Sequence, residues 1–408
     1  MKSLRCKGMR DLTPKDMAKF RRIEAAFIEC CRGWGYQEIR TPTLEFLHLF
    51  TSVGTLSPDM LGRVYSFLDW DGWSGERVVL RPDGTIPVAR FYVENLQDIS
   101  LARLFYVENT FAFESSGVES RERWQCGAEL IGGRPLEGDV ELITVALETM
   151  KNVGIESVQI RLAHAGVLQA FLESLGLSGE KEAEVLDQVF AGNTEVLRTM
   201  SGGNPEVESD LNLLFGLKGT TPGFVNNLKA AFSSKLPRME GSLDQLARVA
   251  ELLTGLEYDY QIDFTSGRNF EYYTGVIFSF CMGDHRLGGG GRYDELIPLV
   301  GGKDVCASGI AIYVDELMKL ITDESEREPV LIRTSDSGGL KTSLSLAGEL
   351  RKAGYSAEFD LGHEDMSRFK WIVDLRSGKG IQLINKSTGK TWDVAQSDEL
   401  VKQLRGGG

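Results

Sequence analysis

Between residues 80 and 129 apolar and polar side chains alternate on both sides of a polar, turn-rich tip, and no other stretch restricts the fold of this chain as strongly. It opens with Leu80-Arg81-Pro82-Asp83-Gly84-Thr85 and continues, after a polar connection, through residues 103–114, a tip at 115–120 and a return from residue 121. Successive side chains of a strand point to opposite faces, so a period of two on both flanks of a turn predicts a long antiparallel hairpin. One face then carries Phe105, Val107 and Phe111 inward. The other carries Asp83, Glu114, Gln125 and Glu129, and polar groups converging across neighbouring strands are a natural place for a ligand.

A sheet of that kind needs a body to pack on, and 408 residues suffice for two domains with cores of their own. Hydrophobic residues make up 42% and charged residues 25%, the balance of a globular protein in water. No apolar run approaches the ~20 residues of a membrane span, and Met1 to Cys6 lack the apolar core of a secretory signal. No membrane association and a cytoplasmic location are therefore expected. The six cysteines, Cys6, Cys30, Cys31, Cys126, Cys281 and Cys306, form no Cys-x-x-Cys pair and have only four histidines to complement them. Buried free thiols are expected rather than a metal site or a disulfide framework. The net charge of −14 weighs against nucleic acid as a partner, because affinity for a polyanion comes largely from lysine and arginine.

Pro14 suits the first turn of a helix whose inward face is Met17, Phe20, Ile23, Phe27 and Cys31, closed by Gly33 and Gly35. Residues 37–45 read as one strand, and residues 65–69 and 77–80 as short strands around a glycine-bearing turn. Residues 139–152 read as a helix with Ile143, Ala146, Leu147 and Met150 on one side, and residues 156–161 as a strand leading to His164. That histidine is the one to nominate as a catalytic base. Beside a helix start, however, a histidine more often caps or packs, and the sequence places no nucleophile near it. From about 167 to 256 the pattern is helical, broken at Gly192-Asn193, Gly202-Gly203-Asn204-Pro205 and Thr220-Thr221-Pro222-Gly223, which predicts a helical insertion resting on the sheet.

The sheet resumes at Tyr260. Gly288-Gly289-Gly290-Gly291-Arg292 lacks the Lys-Ser/Thr of a P-loop, so close backbone approach to a small ligand or a neighbouring strand is the better account. A charged linker ends in Pro329, and residues 330–408 alternate strand and helix as a small α/β domain. That piece holds twelve basic and ten acidic side chains, too near neutrality to imply RNA binding.

Three runs carry a family resemblance. Residues 80–90 and the hairpin with Gln125-Cys126-Gly127-Ala128-Glu129 resemble motif 2 of the class II aminoacyl-tRNA synthetases, in their histidyl branch. Arg268-Asn269-Phe270-Glu271-Tyr272-Tyr273-Thr274-Gly275 resembles the histidine-specific strand that lines the amino-acid pocket there. The helix and proline-bearing strand over residues 14–45 resemble motif 1, the family's dimer interface, and residues 307–317 stand at motif 3.

This resemblance implies an α+β fold, a class II synthetase-like antiparallel sheet flanked by helices. It would occupy residues 1–322 with the insertion at about 167–256, followed by a linker at 323–329 and, at 330–408, a small α/β domain where the family keeps its anticodon-binding domain. It also implies a histidine pocket. Asp83 would pair with the α-ammonium, Arg268 would meet the carboxylate, and Thr85 and Gln125 would serve the amino-acid backbone. Glu129 and Tyr273 would bond the imidazole, with Tyr272 and Tyr293 lining the ring. Taken singly, Asp83 or Glu129 is better read as a solvated or ion-paired strand residue; taken together, inside matched motifs in matched order, the pocket reading is the better one.

Two departures shape the functional expectation. Ala112 stands where the family has the arginine that holds the α-phosphate of ATP, and Glu316 stands at the motif 3 arginine. A methyl group offers no bidentate charge-assisted bond, and a carboxylate facing a triphosphate repels it. The combination resembles a non-catalytic paralogous family, the regulatory subunits of ATP phosphoribosyltransferase, which carry feedback inhibition by histidine at the first step of histidine biosynthesis. It implies no catalytic residue, no cofactor and no metal, with L-histidine as effector. It further implies a short-form catalytic subunit as partner and a homodimer through motif 1 within a larger hetero-oligomer. Two alternatives stay open. One is a working histidyl-tRNA synthetase that uses Arg121, Arg123 or Arg268 in place of the lost arginines, and the other is a synthetase-like adaptor for a different ligand.

Overall fold

A computed structural model of the chain describes residues 4–53, 62–70, 75–113, 120–177, 181, 185, 188–189, 196, 199, 204–266, 272–283, 285–322, 329–334, 339–362, 366–376 and 380–406. These fall into two compact units, Met1–Ile321 and Thr322–Gly408.

The first unit begins with α1 (Pro14–Gly33), which a capping box sets in place. The Thr13 hydroxyl accepts from the Asp16 amide, the Asp16 carboxylate accepts from the Thr13 amide, and Pro14 fills the first turn. Its buried stripe, Phe20, Ile23, Phe27, Cys30 and Cys31, packs on the hairpin, with the Phe27 and Phe105 rings edge to face at 5.9 Å. The hairpin is β5 (Ala102–Phe111) and β6 (Glu122–Ile131), paired antiparallel along their whole length. It lies within an eight-stranded sheet whose order is β1 (Gln37–Glu38), β5, β6, β11 (Ala307–Tyr313), β10 (His285–Arg292), β9 (Val276–Met282), β7 (Gln159–His164) and β8 (Tyr260–Ile262). The outermost pairs are parallel and the five pairs between them antiparallel.

Both faces of this sheet are buried. Phe105 and Val107 join α1 and α4 (Pro135–Asn152) in one core, whereas Leu104 and Tyr106 join α3 (Thr85–Asn95) and the short α9 (Leu296–Leu299) in another. The second core also takes Leu49 and Phe50 of α2 (Leu47–Ser52). Strands β2 (Leu44–Phe46), β4 (Gly75–Leu80) and β3 (Ser66–Trp70) form a separate antiparallel sheet. β3 is exposed along its length, and Phe67, Leu68 and Trp70, with Leu44 and Phe46, leave apolar surface uncovered. The insertion holds α5 (Ala165–Ser174), α6 (Pro205–Phe215), α7 (Pro222–Phe232) and α8 (Glu240–Gly255). Phe171 binds it together, meeting Phe215 and Phe232 edge to face at 5.9 and 6.5 Å. The unit closes with α10 (Val314–Leu320), directly after β11.

Several expectations are corrected here. Residues 85–95 form a helix, so Asp83 and Thr85 sit at a strand-to-helix junction rather than on a strand. Residues 37–45 do not make one strand: β1 joins the large sheet and β2 the small one, with Thr41 and Pro42 in the segment between. The strand expected at 156–161 lies at Gln159–His164, and the helix expected at 139 starts at Pro135. Of the strand expected over 268–278, residues 272–275 are not extended into it, β9 starts at Val276, and residues 268–271 lie outside the described residues. Of the six thiols, all free, Cys6 is exposed and Cys306 partly so, contrary to a uniformly buried set.

The second unit is a five-stranded sheet in the order β13 (Ser356–Phe359), β12 (Pro329–Thr334), β14 (Trp371–Arg376), β15 (Gly380–Asn385) and β16 (Thr391–Val394). Helices α11 (Leu340–Lys352) and α12 (Ser397–Gly406) bury Leu346, Leu350, Leu400 and Leu404 in one core with Val330, Ile332, Trp371, Val373 and Leu383. β16 and α12 are additions to the sequence reading. Residues 323–328 of the expected linker lie outside the described residues. Among the described residues no helix is long and apolar enough to cross a membrane.

Candidate functional site

Glu129, on the inner half of β6, has no solvent exposure, yet three hydroxyls reach its carboxyl from three other elements. Thr85, the first residue of α3, donates to Oε1 at 2.9 Å, and Tyr106 of β5 donates to the same oxygen at 3.2 Å. Tyr293, just past β10, donates to Oε2. Backbone economy makes room for this cluster. Gly309 of β11 is paired directly with Glu129, and a Cβ there would stand 1.8 Å from Oε2. Gly127 is paired with Tyr106, and its Cβ would stand 2.1 Å from the ring. Burial raises the Glu129 carboxyl to about 8 despite the three donors, and Asp83 adds a like charge that pushes the same way.

Asp83 lies two residues before α3. Its Oδ1 accepts from the Ile86 amide at 2.9 Å, which starts the helix, and its Oδ2 accepts from the Tyr272 hydroxyl at 3.4 Å. It keeps some solvent contact but is walled by protein on most sides, and desolvation raises it while the Ile86, Thr85 and Gly84 amides pull it down. Among the described residues neither Asp83 nor Glu129 has an ion-pair partner. Tyr272 packs against Tyr273 with ring centroids 4.9 Å apart and against Tyr293 at 6.0 Å, so the tyrosines form one wall. Gln125 donates from Nε2 to the Tyr106 hydroxyl at 3.2 Å.

The structure thus gathers Asp83, Thr85, Gln125, Glu129, Tyr272, Tyr273 and Tyr293 around one polar core, and Arg268 lies outside the described residues. Two neighbouring carboxylates beside an aromatic wall suit a ligand with an ammonium and a ring N–H. Tyr106 was missed because the alternation of β5 marks Phe105 and Val107 as inward and leaves the opposite face unassigned. The signal available was an aromatic residue with a glycine opposite it in the hairpin register.

A second polar cluster holds the frame. Arg292 donates to Asp139 of α4 at 2.8 Å and to Asp294 at 3.1 Å, and the Ser308 hydroxyl donates to Asp139 at 2.6 Å. Arg292 and Asp139 are both buried, and desolvation raises Asp139 to about 6 against the pull of Arg292 and Ser308. With Arg292 pinned on one side of the chain, Tyr293 is directed to the other, toward Glu129. Thr274 is tied to the same segment, its amide donating to the Arg292 carbonyl and its hydroxyl accepting from the Asp294 amide. His164 caps α5, accepting from the Gly166 amide at Nδ1 while Nε2 meets the Gln245 amide oxygen at 3.1 Å. Burial lowers it to about 4, which keeps it neutral and structural. Among the described residues no group of three or more His, Cys, Asp or Glu is placed to hold a metal ion.

At the outer end of the hairpin, Ala112 follows β5. The Arg121 guanidinium stacks 4.3 Å over the Phe113 ring and reaches the Tyr65 hydroxyl, and Arg123 is exposed and bonds the Ser120 carbonyl. Glu316 sits in the first turn of α10 and takes two 2.8 Å bonds from Lys319, a surface pair that suits a helix N-terminus. Its neighbour Asp315 accepts from the Trp124 amide at 2.8 Å and from Arg10.

Residues 8–317 match the histidyl-tRNA synthetase family. The chain is 44% identical to an ATP phosphoribosyltransferase regulatory subunit of Dehalococcoides mccartyi over 406 residues, 98% of each chain. It is 32% identical to the histidine–tRNA ligase of Methanocaldococcus jannaschii, covering 98% of this chain and 96% of that one. Among solved structures, an ATP phosphoribosyltransferase regulatory subunit/histidyl-tRNA synthetase from Bacillus halodurans superposes with a TM-score of 0.77 at 24% identity, over 92% of this chain and 99% of the other.

Proposed function

The chain belongs to the histidyl-tRNA synthetase family and stands within it among the ATP phosphoribosyltransferase regulatory subunits; on that premise we propose that it is a non-catalytic regulatory subunit that binds L-histidine. One observation carries the reading. The buried Glu129 cluster keeps the groups an imidazole-bearing amino acid needs, whereas Ala112 and Glu316 occupy the two positions where an adenylating relative holds ATP with arginine.

In this reading Asp83 takes the α-ammonium, Glu129 accepts from the ring, and Tyr272, Tyr273 and Tyr293 enclose it. Arg268 is assigned to the carboxylate by its place in the motif. Thr85 and Gln125 act on the ligand through the network they share with Glu129 and Tyr106. The partner is a short-form ATP phosphoribosyltransferase catalytic subunit, joined by a homodimer of this chain built on α1 and its following strands. Histidine favours one state of the mixed assembly, a coupling typically of ~1 to 3 kcal/mol. Histidine biosynthesis is thereby restrained at its first step.

Calorimetric titration with L-histidine, repeated with ATP and magnesium, tests this. Binding of histidine, silence with ATP, and histidine-sensitive activation of a short-form catalytic subunit on mixing are the expected results. Histidine-dependent exchange of pyrophosphate into ATP would instead return the chain to the synthetases.

A further inference from the structure

We propose that Tyr106 is a positioning residue of the pocket: its hydroxyl ties the Gln125 amide to one oxygen of the Glu129 carboxyl and so presents the other oxygen to the ligand. The proposal rests on reading the Glu129 cluster as the ligand site.

Four observations carry it. Tyr106 is fully buried, and its ring lies across β6 in the space left by Gly127, its partner in the hairpin register. Gly84 closes the same space from the start of α3, where a Cβ would meet the Tyr106 hydroxyl at 2.5 Å. The hydroxyl therefore has one place to be. There it donates to Glu129 Oε1 and accepts from Gln125 Nε2, each at 3.2 Å.

The distribution of donors then decides which oxygen is available. In its ionised form, which a cationic ligand would favour, the Glu129 carboxyl offers about two acceptor directions on each oxygen. Thr85 and Tyr106 together take both directions of Oε1, while Tyr293 takes one of Oε2. Among the described residues Oε2 is thus the oxygen with acceptor capacity left, and it lies over the bare backbone of Gly309. A ligand that fits is one offering a single ring N–H, or a protonated ring nitrogen, at that point. Without the Tyr106 hydroxyl, Oε1 would be free to compete for the same donor and the carboxyl to turn. The Tyr106 bond also favours the ionised carboxyl against the burial that raises it, so its loss shifts the proton equilibrium of Glu129 upward.

The test uses the full chain and three variants, Tyr106→Phe, Glu129→Gln and Tyr92→Phe. Tyr92 is a buried tyrosine whose hydroxyl bonds the Ile99 carbonyl away from the site, so its variant reports loss of a buried hydroxyl alone. Infrared titration follows the protonated carboxyl band of Glu129, assigned by its disappearance in Glu129→Gln. Tyr106→Phe is expected to move the midpoint upward by ~0.5 pH unit or more while Tyr92→Phe leaves it in place. Calorimetry with L-histidine is expected to show about a tenfold loss of affinity in Tyr106→Phe and none in Tyr92→Phe. An unmoved midpoint in a folded Tyr106→Phe chain overturns the proposal. If the unaltered chain takes no histidine, the ligand reading fails, and the infrared midpoint still decides the role of Tyr106.

Discussion

Replacing Glu129 by glutamine makes the buried carboxyl a measurable pH dependence of the fold. Burial raises the folded-state value from 4.5 to about 8. Between those values the folded chain holds a proton that the unfolded chain has released. The contribution is therefore complete below 4.5 and is lost as the pH rises through 8. Two other buried groups act lower on the scale. Asp139, raised from 3.8 to about 6, loses its contribution in the same sense by pH 6, whereas His164, lowered from 6.5 to about 4, gives stability that grows from 4 to 6.5. From pH 6.5 to 8 Glu129 is the one of the three still titrating. One pKa unit corresponds to about 1.4 kcal/mol, and with the taper near the midpoint the loss across this window is on the order of 1–2 kcal/mol. Glutamine has no proton to release. Urea unfolding of both chains at the two ends of the window should show the wild type losing that amount relative to Glu129→Gln, with contributions from the second unit cancelling in the difference. A difference constant to within ~0.3 kcal/mol would refute the reasoning.

Three further outcomes are expected. Gly309→Ala drives a methyl group into Glu129 Oε2 and breaks the Tyr293 bond, destabilising the chain by about 1–3 kcal/mol and removing the heat of histidine binding in calorimetry. Arg292→Met strands Asp139 as a buried carboxylate, and a loss of roughly 3–5 kcal/mol should be read by denaturation, with a negligible loss arguing that the pair is idle. Glu316→Ala removes only a surface pair with Lys319, so stability should change by less than ~0.5 kcal/mol and histidine affinity should hold, which would fail if Glu316 reached the pocket.

The hairpin was legible because two apolar-rich segments flank one turn-rich tip and the chain needed no distant partner to complete it, although Leu104 to Val107 are apolar and buried without alternation. α3 was not. Thr85, Ile86, Pro87, Val88 and Ala89 are all buried, so the start of the helix shows no polar stripe, and a short apolar run reads equally as strand or helix. β1 and β2 were merged because the sequence marks both as extended and gives no sign that they serve different sheets. The Thr41 amide and hydroxyl both donate to the buried Glu108, a long-range tie that fixes the break. β16 and α12 were passed over because four residues with one buried side chain, and a helix held by Leu400 and Leu404 alone, leave little pattern to find. Asp83, Thr85, Glu129 and Tyr293 come from three distant parts of the chain. Their association was reached through family resemblance, since no local spacing brings them together.

The glycine run of β10 has a consequence for how such a protein can change over time. Cβ atoms at Gly288 and Gly290 would meet the Ala311 and Gly309 carbonyl oxygens at 2.5 and 2.0 Å, and those at Gly289 and Gly291 would meet Phe278 and Val276 carbonyls at 2.9 and 2.7 Å. The floor beside Glu129 is therefore bare peptide, closed to mutational exploration. Variation in the proposed ligand choice is left to the 272–274 segment, where side chains can vary without prying strands apart. Ala112 and Glu316 lie beyond that floor, so substitutions there need not disturb the proposed ligand cradle.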